Sequence, residues 1–160
     1  MLPVSSDGKV LLIQRNSQLR LYPNKWVIPG GMINEGEEIC TAGLRELAEE
    51  TGIITNVIGN EVTYRDTPWK LKPHMLYETL FPNIAKGKPV SQHLVLYFLL
   101  HLQFPASAIA LRINPDESSR AAWIDSRIFE RIKNKEYNYA IEGISANGDK
   151  IAIPGGYLVG

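Results

Sequence analysis

Residues 31–53, with the sequence GMINEGEEICTAGLRELAEETGI, decide the interpretation of this chain. The second half of the stretch carries apolar residues at helical spacing, namely Cys40, Leu44, Leu47 and Ala48. Gly52 stands where a left-handed C-terminal cap belongs. The pattern predicts a helix over about residues 37–51, preceded by Gly30-Gly31, where the backbone can adopt positive φ or let another group approach closely.

Three glutamates, Glu46, Glu49 and Glu50, share one face of that predicted helix. At about 100° per residue, Glu50 is about 40° from Glu46, and Glu49 is about 60° to its other side. The apolar stripe lies roughly opposite, so we expect these carboxylates to lie outside the core. Because like charges on adjacent turns repel, the face is either a solvated surface or a site for hard divalent cations such as Mg²⁺. A backbone carbonyl at Gly30-Gly31 could add a further oxygen ligand.

The spacing of the charged and glycine residues favours the cation site over the solvated surface. The segment matches every defined position of the pattern Gly-x5-Glu-x7-Arg-Glu-aliphatic-x-Glu-Glu-x-Gly-aliphatic. Its chance occurrence at a given start is on the order of 10⁻⁹. This pattern is the Nudix box, and the chain resembles the Nudix hydrolases. The resemblance implies an α/β fold, the α/β/α sandwich with a mixed β-sheet, formed by a single domain over residues 1–160.

The resemblance also assigns roles within the box. Family members bind Mg²⁺ or Mn²⁺ there, and the positions that match their ligands are Glu46, Glu49, Glu50 and, through its backbone carbonyl, Gly30. Glu37 and Arg45 match a pair whose salt bridge supports the loop and the helix, a task that suits a planar guanidinium. The resemblance therefore implies metal and catalytic roles for the three helix glutamates and a structural role for this pair.

Three residues outside the box are further candidates for the same site. Glu117 lies six residues before Trp123, where several family members have a fourth catalytic carboxylate on a loop. An exposed loop glutamate is the alternative. Glu78 and His93 are candidates for substrate binding: Glu78 could project from a predicted strand into the same cleft, and His93, at the start of a predicted strand, could stack on a base or contact a phosphate. A surface strand residue and an ordinary strand-end histidine are their alternatives.

A looser resemblance connects the chain to an animal group of the family, the nucleoside diphosphate-linked moiety X motif 17 group. It covers residues 77–82, 87–89, 93–97, 112–115 and 123. Members of this group are described as hydrolases of capped messenger RNA. The implied function is metal-dependent hydrolysis of a phosphoanhydride bond in a nucleoside diphosphate linked to another moiety, with a nucleotide or a capped RNA end as substrate. The general base would be Glu46, through a water, or Glu117. The alternative function is a non-catalytic nucleotide-binding or sensor domain.

Composition limits the partners and the compartment. The chain has 160 residues, with 17 Lys plus Arg against 17 Asp plus Glu, so its formal charge is zero. This balance argues against a membrane or a long duplex nucleic acid held by a large basic field. The single cysteine, Cys40, cannot form an internal disulfide, and the longest apolar run, residues 94–100, is too short to span a bilayer. We therefore expect an intracellular, cytoplasmic protein. The oligomeric state stays open.

Apolar and β-branched runs predict strands elsewhere, at residues 1–4, 9–15, 25–29, 55–63, 74–81, 93–102 and 121–124, with a hairpin around Asn147-Gly148. The run 93–102 is nearly continuous in apolar residues, which predicts a central strand. A second helix is predicted from Asp125 or Ser126 to about residue 133, with Ile128 and Phe129 on its buried stripe. The arm 1–4 is shorter than the family's usual opening strand, which leaves open whether the first strand is truncated.

Overall fold

The computed structural model describes residues 1–54, 73–83, 88–129 and 140–154, and of residues 79–83 and 88–91 it describes the backbone only. Its strands are β1 (Leu2–Val4), β2 (Lys9–Arg15), β3 (Trp26–Val27), β4 (Pro73–Asn83), β5 (Lys88–His101), β6 (Ser118–Asp125), β7 (Ala140–Ser145) and β8 (Lys150–Pro154). The helix α1 spans Ile39–Thr51, and a short 3₁₀ helix spans Ala106–Ala108. The predicted strand 55–63 and the part of the second predicted helix after residue 129 lie outside the described residues.

The strands form one mixed sheet. Their order is β4-β5-β1-β2-β6-β7-β8, and β3 pairs with β2. β1 and β5 run parallel, whereas the other described pairs are antiparallel. The predicted turns at Gly8 and Gly148 are present, and both glycines adopt positive φ, 77° and 86°. The mixed sheet that the sequence predicts is therefore confirmed.

The strand β5 corrects the prediction of a central position. It lies second from the sheet edge, between β4 and β1. Among the strands that the structure describes, only the last residues of β5 pair with β1, in the register Leu2 with Leu99, while its first half pairs with β4 alone. Apolar side chains in that half therefore face solvent, and Leu94 is 61% exposed. A continuous apolar run indicated burial on both faces, but the burial depends on neighbours that only half of this strand has.

Apolar clusters cover both faces of the sheet. On one face, Cys40 and Leu47 of α1 pack against residues of β2, β5 and β6. On the other face, the core includes Trp26 and Ile128, and Ile128 begins the helical segment that follows β6. These layers agree with the predicted α/β/α sandwich. Phe129, which the sequence also predicts to be buried, is 39% exposed and does not belong to the core cluster that contains Ile128.

Capping interactions fix both ends of α1. Glu38 is the N-cap, and its carboxylate accepts the Thr41 backbone N–H at 2.8 Å. At the other end, Gly52 adopts φ 72° and donates its N–H to the carbonyl of Ala48 at 2.9 Å. The helix thus begins two residues later than predicted and ends at the predicted cap. No helix in the described ranges is long and apolar enough to cross a membrane.

Candidate active site

The guanidinium of Arg45 organises the loop and the helix of residues 31–53. Its Nε and one terminal nitrogen donate to the two carboxylate oxygens of Glu37, at 2.8 and 2.9 Å. The other terminal nitrogen donates to Glu46 at 2.8 Å and to Glu49 at 3.1 Å. A further hydrogen bond, of 3.0 Å, reaches the carbonyl of Met32. One planar side chain therefore fixes the loop backbone and orients two of the three helix glutamates.

Glu37 is held in its charged form by these contacts. Its hydrogen bonds with Arg45 and with the backbone N–H of Asn34 lower its pKa to about 2. The same charge-assisted hydrogen bonds raise the pKa of Arg45 above its usual value. The pair predicted to support the loop and helix is thus formed in the structure.

Glu50 occupies a different environment from the other two glutamates of the helix. It is only 5% exposed, and its carboxylate accepts the backbone N–H of Gly30 at 2.8 Å. Burial, together with the negative charges of Glu46 and Glu117, raises its pKa to about 7, although the hydrogen bond from Gly30 opposes the shift. The expectation that this face lies outside the core is wrong for Glu50, because the Gly30-Gly31 loop covers it. The side chain of Glu49 is half exposed, as predicted.

The second glycine of the loop allows the carboxylate of Glu46 to approach the backbone. A Cβ atom on Gly31 would overlap the carboxyl group of Glu46, so any side chain there would displace the glutamate. The close approach predicted at Gly30-Gly31 is therefore present. Gly30, whose carbonyl is the predicted backbone ligand, donates its N–H to the carboxylate of Glu50.

The segment before β6 brings Glu117 into this environment. The Arg112 N–H donates to the carbonyl of Thr51 at 2.8 Å, so this segment packs on the end of α1. The N–H of Glu117 donates to the Asn114 carbonyl at 3.2 Å, and its charge acts on Glu50. The sequence separates Glu50 from Glu117 by 67 residues, but the fold brings them close enough for the charge of Glu117 to raise the pKa of Glu50. We call Glu46, Glu49, Glu50 and Glu117 the glutamate cluster.

The two candidates for substrate binding lie on the β4–β5 hairpin. Glu78 is exposed and accepts a hydrogen bond from the amide of Gln92 across the strand pair. His93 is exposed and pairs with Thr79 in the strand register. It precedes Leu99, which pairs with β1, by six residues, or about 20 Å along an extended strand. Within the described residues, no hydrogen bond or ion pair joins Glu78 to the glutamate cluster.

The donor set of the cluster fits a hard divalent cation. Its side chains offer only carboxylate oxygens, and Glu46 and Glu49 each give one of their two oxygens to Arg45. Glu50 is a buried carboxylate crowded by other negative charges, which a cation would neutralise. In the described part of the chain, no group of three or more acidic, histidine or cysteine side chains is arranged to hold a metal ion. Glu46, Glu49 and Glu50 would therefore have to draw together around the ion.

One candidate for a functional element escaped the sequence analysis. The loop between β2 and β3 contains Tyr22 with φ 50° and Asn24 with φ 60°. The sequence feature that could have indicated this loop is Tyr-Pro-Asn at residues 22–24, which is typical of a turn. It does not indicate which residue adopts positive φ.

Comparison with known proteins agrees with the fold and with the family that the sequence indicates. A model of the NUDIX domain family matches residues 1–140, and the chain belongs to this family. It is 35% identical over 131 residues to the m7GpppN-mRNA hydrolase NUDT17 of Xenopus laevis, and 37% identical over 123 residues to the human protein of that name. The alignments cover 80% and 75% of this chain but 40% and 35% of those relatives, so the chain spans less than half of their length.

Solved structures share the fold. The dihydroneopterin triphosphate pyrophosphohydrolase of E. coli superposes with a TM-score of 0.52 and 20% identity, covering 79% of this chain and 80% of that one. The structure of DR0079 from Deinococcus radiodurans gives a TM-score of 0.51 and 18% identity, covering 83% and 69%. These similarities confirm the α/β Nudix fold that the sequence predicts.

Proposed function

We propose that the domain hydrolyses a phosphoanhydride bond in a nucleoside diphosphate linked to another moiety. The observation that carries the proposal is that the buried Glu50 has the negative charges of Glu46 and Glu117 beside it, while Glu46 and Glu50 both contact the Gly30-Gly31 backbone. Crowded carboxylates in a partly buried site are costly unless a cation joins them, and a diphosphate is the natural second partner of that cation.

The proposed cofactor is Mg²⁺ or Mn²⁺, held by Glu46, Glu49 and Glu50 with the carbonyl of Gly30. When bound, such an ion neutralises the diphosphate, lowers the pKa of a water and stabilises the leaving oxyanion. The chain supplies the positioning. Arg45 orients Glu46 and Glu49, and the N–H of Gly30 holds Glu50.

The base that takes the proton from the attacking water is Glu46 or Glu117. Glu46 lies against Gly31, and Glu117, whose charge acts on Glu50, lies on the segment before β6. Both are carboxylates in the same cluster, so their roles differ only in which one faces the water. Replacing Glu46 and Glu117 by Gln in turn would distinguish them. The pH profile of turnover should change when the residue that acts as the base is replaced, independently of any effect on metal binding.

The proposed substrate is a small nucleotide or the capped end of an RNA. Support comes from the relatives named m7GpppN-mRNA hydrolase. The proposal includes Glu78 and His93 as substrate contacts on the β4–β5 hairpin. The hydrogen bond between Glu78 and Gln92 leaves a carboxylate oxygen that could accept from a base edge or a ribose hydroxyl.

The test uses Glu49→Gln and Glu50→Gln, with Glu35→Gln on the exposed loop of the same box as the matched control. Wild type and control are expected to hydrolyse cap analogues, dinucleoside polyphosphates, nucleotide sugars or free triphosphates with Mg²⁺ or Mn²⁺, with products identified by mass. Each test variant is expected to lose turnover by about 10²-fold or more while keeping its fold. Unchanged turnover in both would refute the mechanism. Ligand-induced thermal stabilisation without products would instead indicate the sensor function.

A further inference from the structure

The loop that joins β2 to β3, residues 16–24, holds a tyrosine in a backbone conformation that aromatic residues rarely adopt. Asparagine tolerates the left-handed region well, so Asn24 at φ 60° is ordinary, whereas Tyr22 at φ 50° is an outlier. The ring does not stabilise the core, because Tyr22 is 50% exposed and its neighbour Leu21 is 55% exposed. The loop therefore pays a conformational cost to display an aromatic ring to solvent.

Hydrogen bonds from β2 hold this loop in shape. Arg15 donates from Nε to the carbonyl of Leu21 at 3.0 Å, and its own carbonyl accepts the N–H of Asn24 at 3.1 Å. The side-chain amide of Gln14 donates to the carbonyl of Asn24 at 3.1 Å. Both sides of the Leu21–Tyr22 tip are thus fixed to the same strand end. A ring fixed in advance loses little conformational entropy when it binds a ligand.

The base of the loop is hydrogen-bonded to the backbone of the segment that carries Glu117. The N–H of Asn16 donates to the carbonyl of Glu117 at 2.9 Å, and its side-chain amide donates to the carbonyl of Pro115 at 2.6 Å. Arg15, the last residue of β2, holds the loop tip through its bond to the Leu21 carbonyl. The Leu21–Tyr22 tip therefore extends from the end of β2 that is bonded to the segment carrying Glu117.

We propose that the Leu21–Tyr22 tip stacks against a nucleobase of the substrate whose diphosphate lies at the glutamate cluster. This inference rests on the proposed function and names a residue that binds the base of the substrate. An exposed phenol ring offers a flat face that stacks on any base, and Leu21 extends the apolar surface beside it. Stacking requires a ring held at a defined angle, which explains why the loop keeps tyrosine at positive φ.

The test uses two variants at this position and one matched control. Tyr22→Asn removes the ring but suits the backbone, whereas Tyr22→Phe keeps the ring. The control is Phe104→Ala, which removes a similarly exposed aromatic ring beside the β1–β2 turn, at the other end of β2. Tyr22→Asn is expected to raise KM for nucleotide substrates about 10-fold with kcat within about 2-fold, and Tyr22→Phe and the control are expected to behave as wild type. Tyr22→Asn should also unfold at the same temperature or about 2–4 °C higher, because strain is relieved.

A second measurement needs neither metal nor turnover. Binding of a nucleoside monophosphate and of ribose 5-phosphate is measured with EDTA present, by saturation-transfer NMR titration. Tyr22→Asn is expected to weaken the nucleoside monophosphate about 10-fold and to leave ribose 5-phosphate unchanged. Equal weakening of both ligands, unchanged affinity, or a lower unfolding temperature would overturn the proposal, since each indicates a structural role or none. If no variant hydrolyses any substrate while metal-free binding still depends on Tyr22, the proposed hydrolysis fails and the stacking role stands.

Discussion

The loop and helix of residues 31–53 and the β4–β5 hairpin differ in what their side chains contact. In the first region, one guanidinium joins Glu37, Glu46 and Glu49, and even a buried carboxylate has a backbone N–H partner. In the hairpin, apolar side chains face solvent on both sides, including Leu76 at 60% and Tyr77 at 52% exposure. The first region is polar and tightly bonded, whereas the second is apolar and loosely covered.

The difference shows that nearby residues determine the structure of the first region, whereas distant residues determine that of the hairpin. The loop and helix are built by contacts within about 20 residues of one another, so their geometry follows from the local sequence. The hairpin depends on what lies next to it: its inner end pairs with β1 and packs in the core, whereas its outer end has no strand beside its own two within the described residues. The same kind of apolar residue is therefore buried in one half of β5 and exposed in the other.

The largest expected effect separates the two halves of β5. Leu100 and Leu94 are six residues apart and so lie on the same face of the strand, but Leu100 is fully buried and Leu94 is 61% exposed. Leu100→Ala should lower the free energy of unfolding by about 2–5 kcal/mol. Leu94→Ala, the matched control, should change it by less than about 0.5 kcal/mol. Urea unfolding measures both, and similar losses would mean that the outer hairpin is packed as tightly as the core.

The second prediction concerns the cost of burying Glu50 in the metal-free protein. Its carboxyl pKa rises from 4.5 to about 7 on folding. The contribution of this group to stability is therefore full below about pH 4.5 and is lost as the pH rises through about 7. Relative to Glu50→Gln, which can still accept the N–H of Gly30, the wild type should lose roughly 3 kcal/mol across this range.

Denaturant unfolding in EDTA at several pH values measures this difference. Glu35→Gln, an exposed glutamate of the same box, should follow the wild type throughout. Adding Mg²⁺ at pH 8 should stabilise the wild type and not Glu50→Gln, because the cation replaces the proton as the neutralising charge. A difference between wild type and Glu50→Gln that is independent of pH would show that Glu50 is not destabilised by its burial.

The sequence predicts most of the first region because spacing and chemistry agree there. The helix, its Gly52 cap, the pair Glu37–Arg45 and the close approach at Gly31 all follow from residues within one short stretch. The burial of Glu50 could not be predicted in this way. Helical periodicity gives the angle at which a side chain leaves the helix, but not whether a loop folds over that face.

Features that depend on distant neighbours were less predictable. The interior position expected for residues 93–102 is wrong because strand order is a property of the whole sheet, and no local pattern encodes it. Tyr22 was missed because a turn sequence predicts a turn without naming the residue that adopts positive φ. The catalytic roles of Glu46, Glu49, Glu50 and Glu117 remain proposals that the experiments above test.

The smallest expected effect tests whether the bonding network of the first region does more than link charges. Arg45→Lys keeps the positive charge, but an ammonium cannot hold both oxygens of Glu37 and also reach Glu46 and Glu49. Turnover and Mg²⁺ affinity should each fall about 10-fold, because the glutamates lose the group that orients them. Arg127→Lys is the control, since Arg127 forms an exposed ion pair with Asp125 that contributes little. If Arg45→Lys matched this control in both measurements, charge alone would suffice and the geometry of the fork would be incidental.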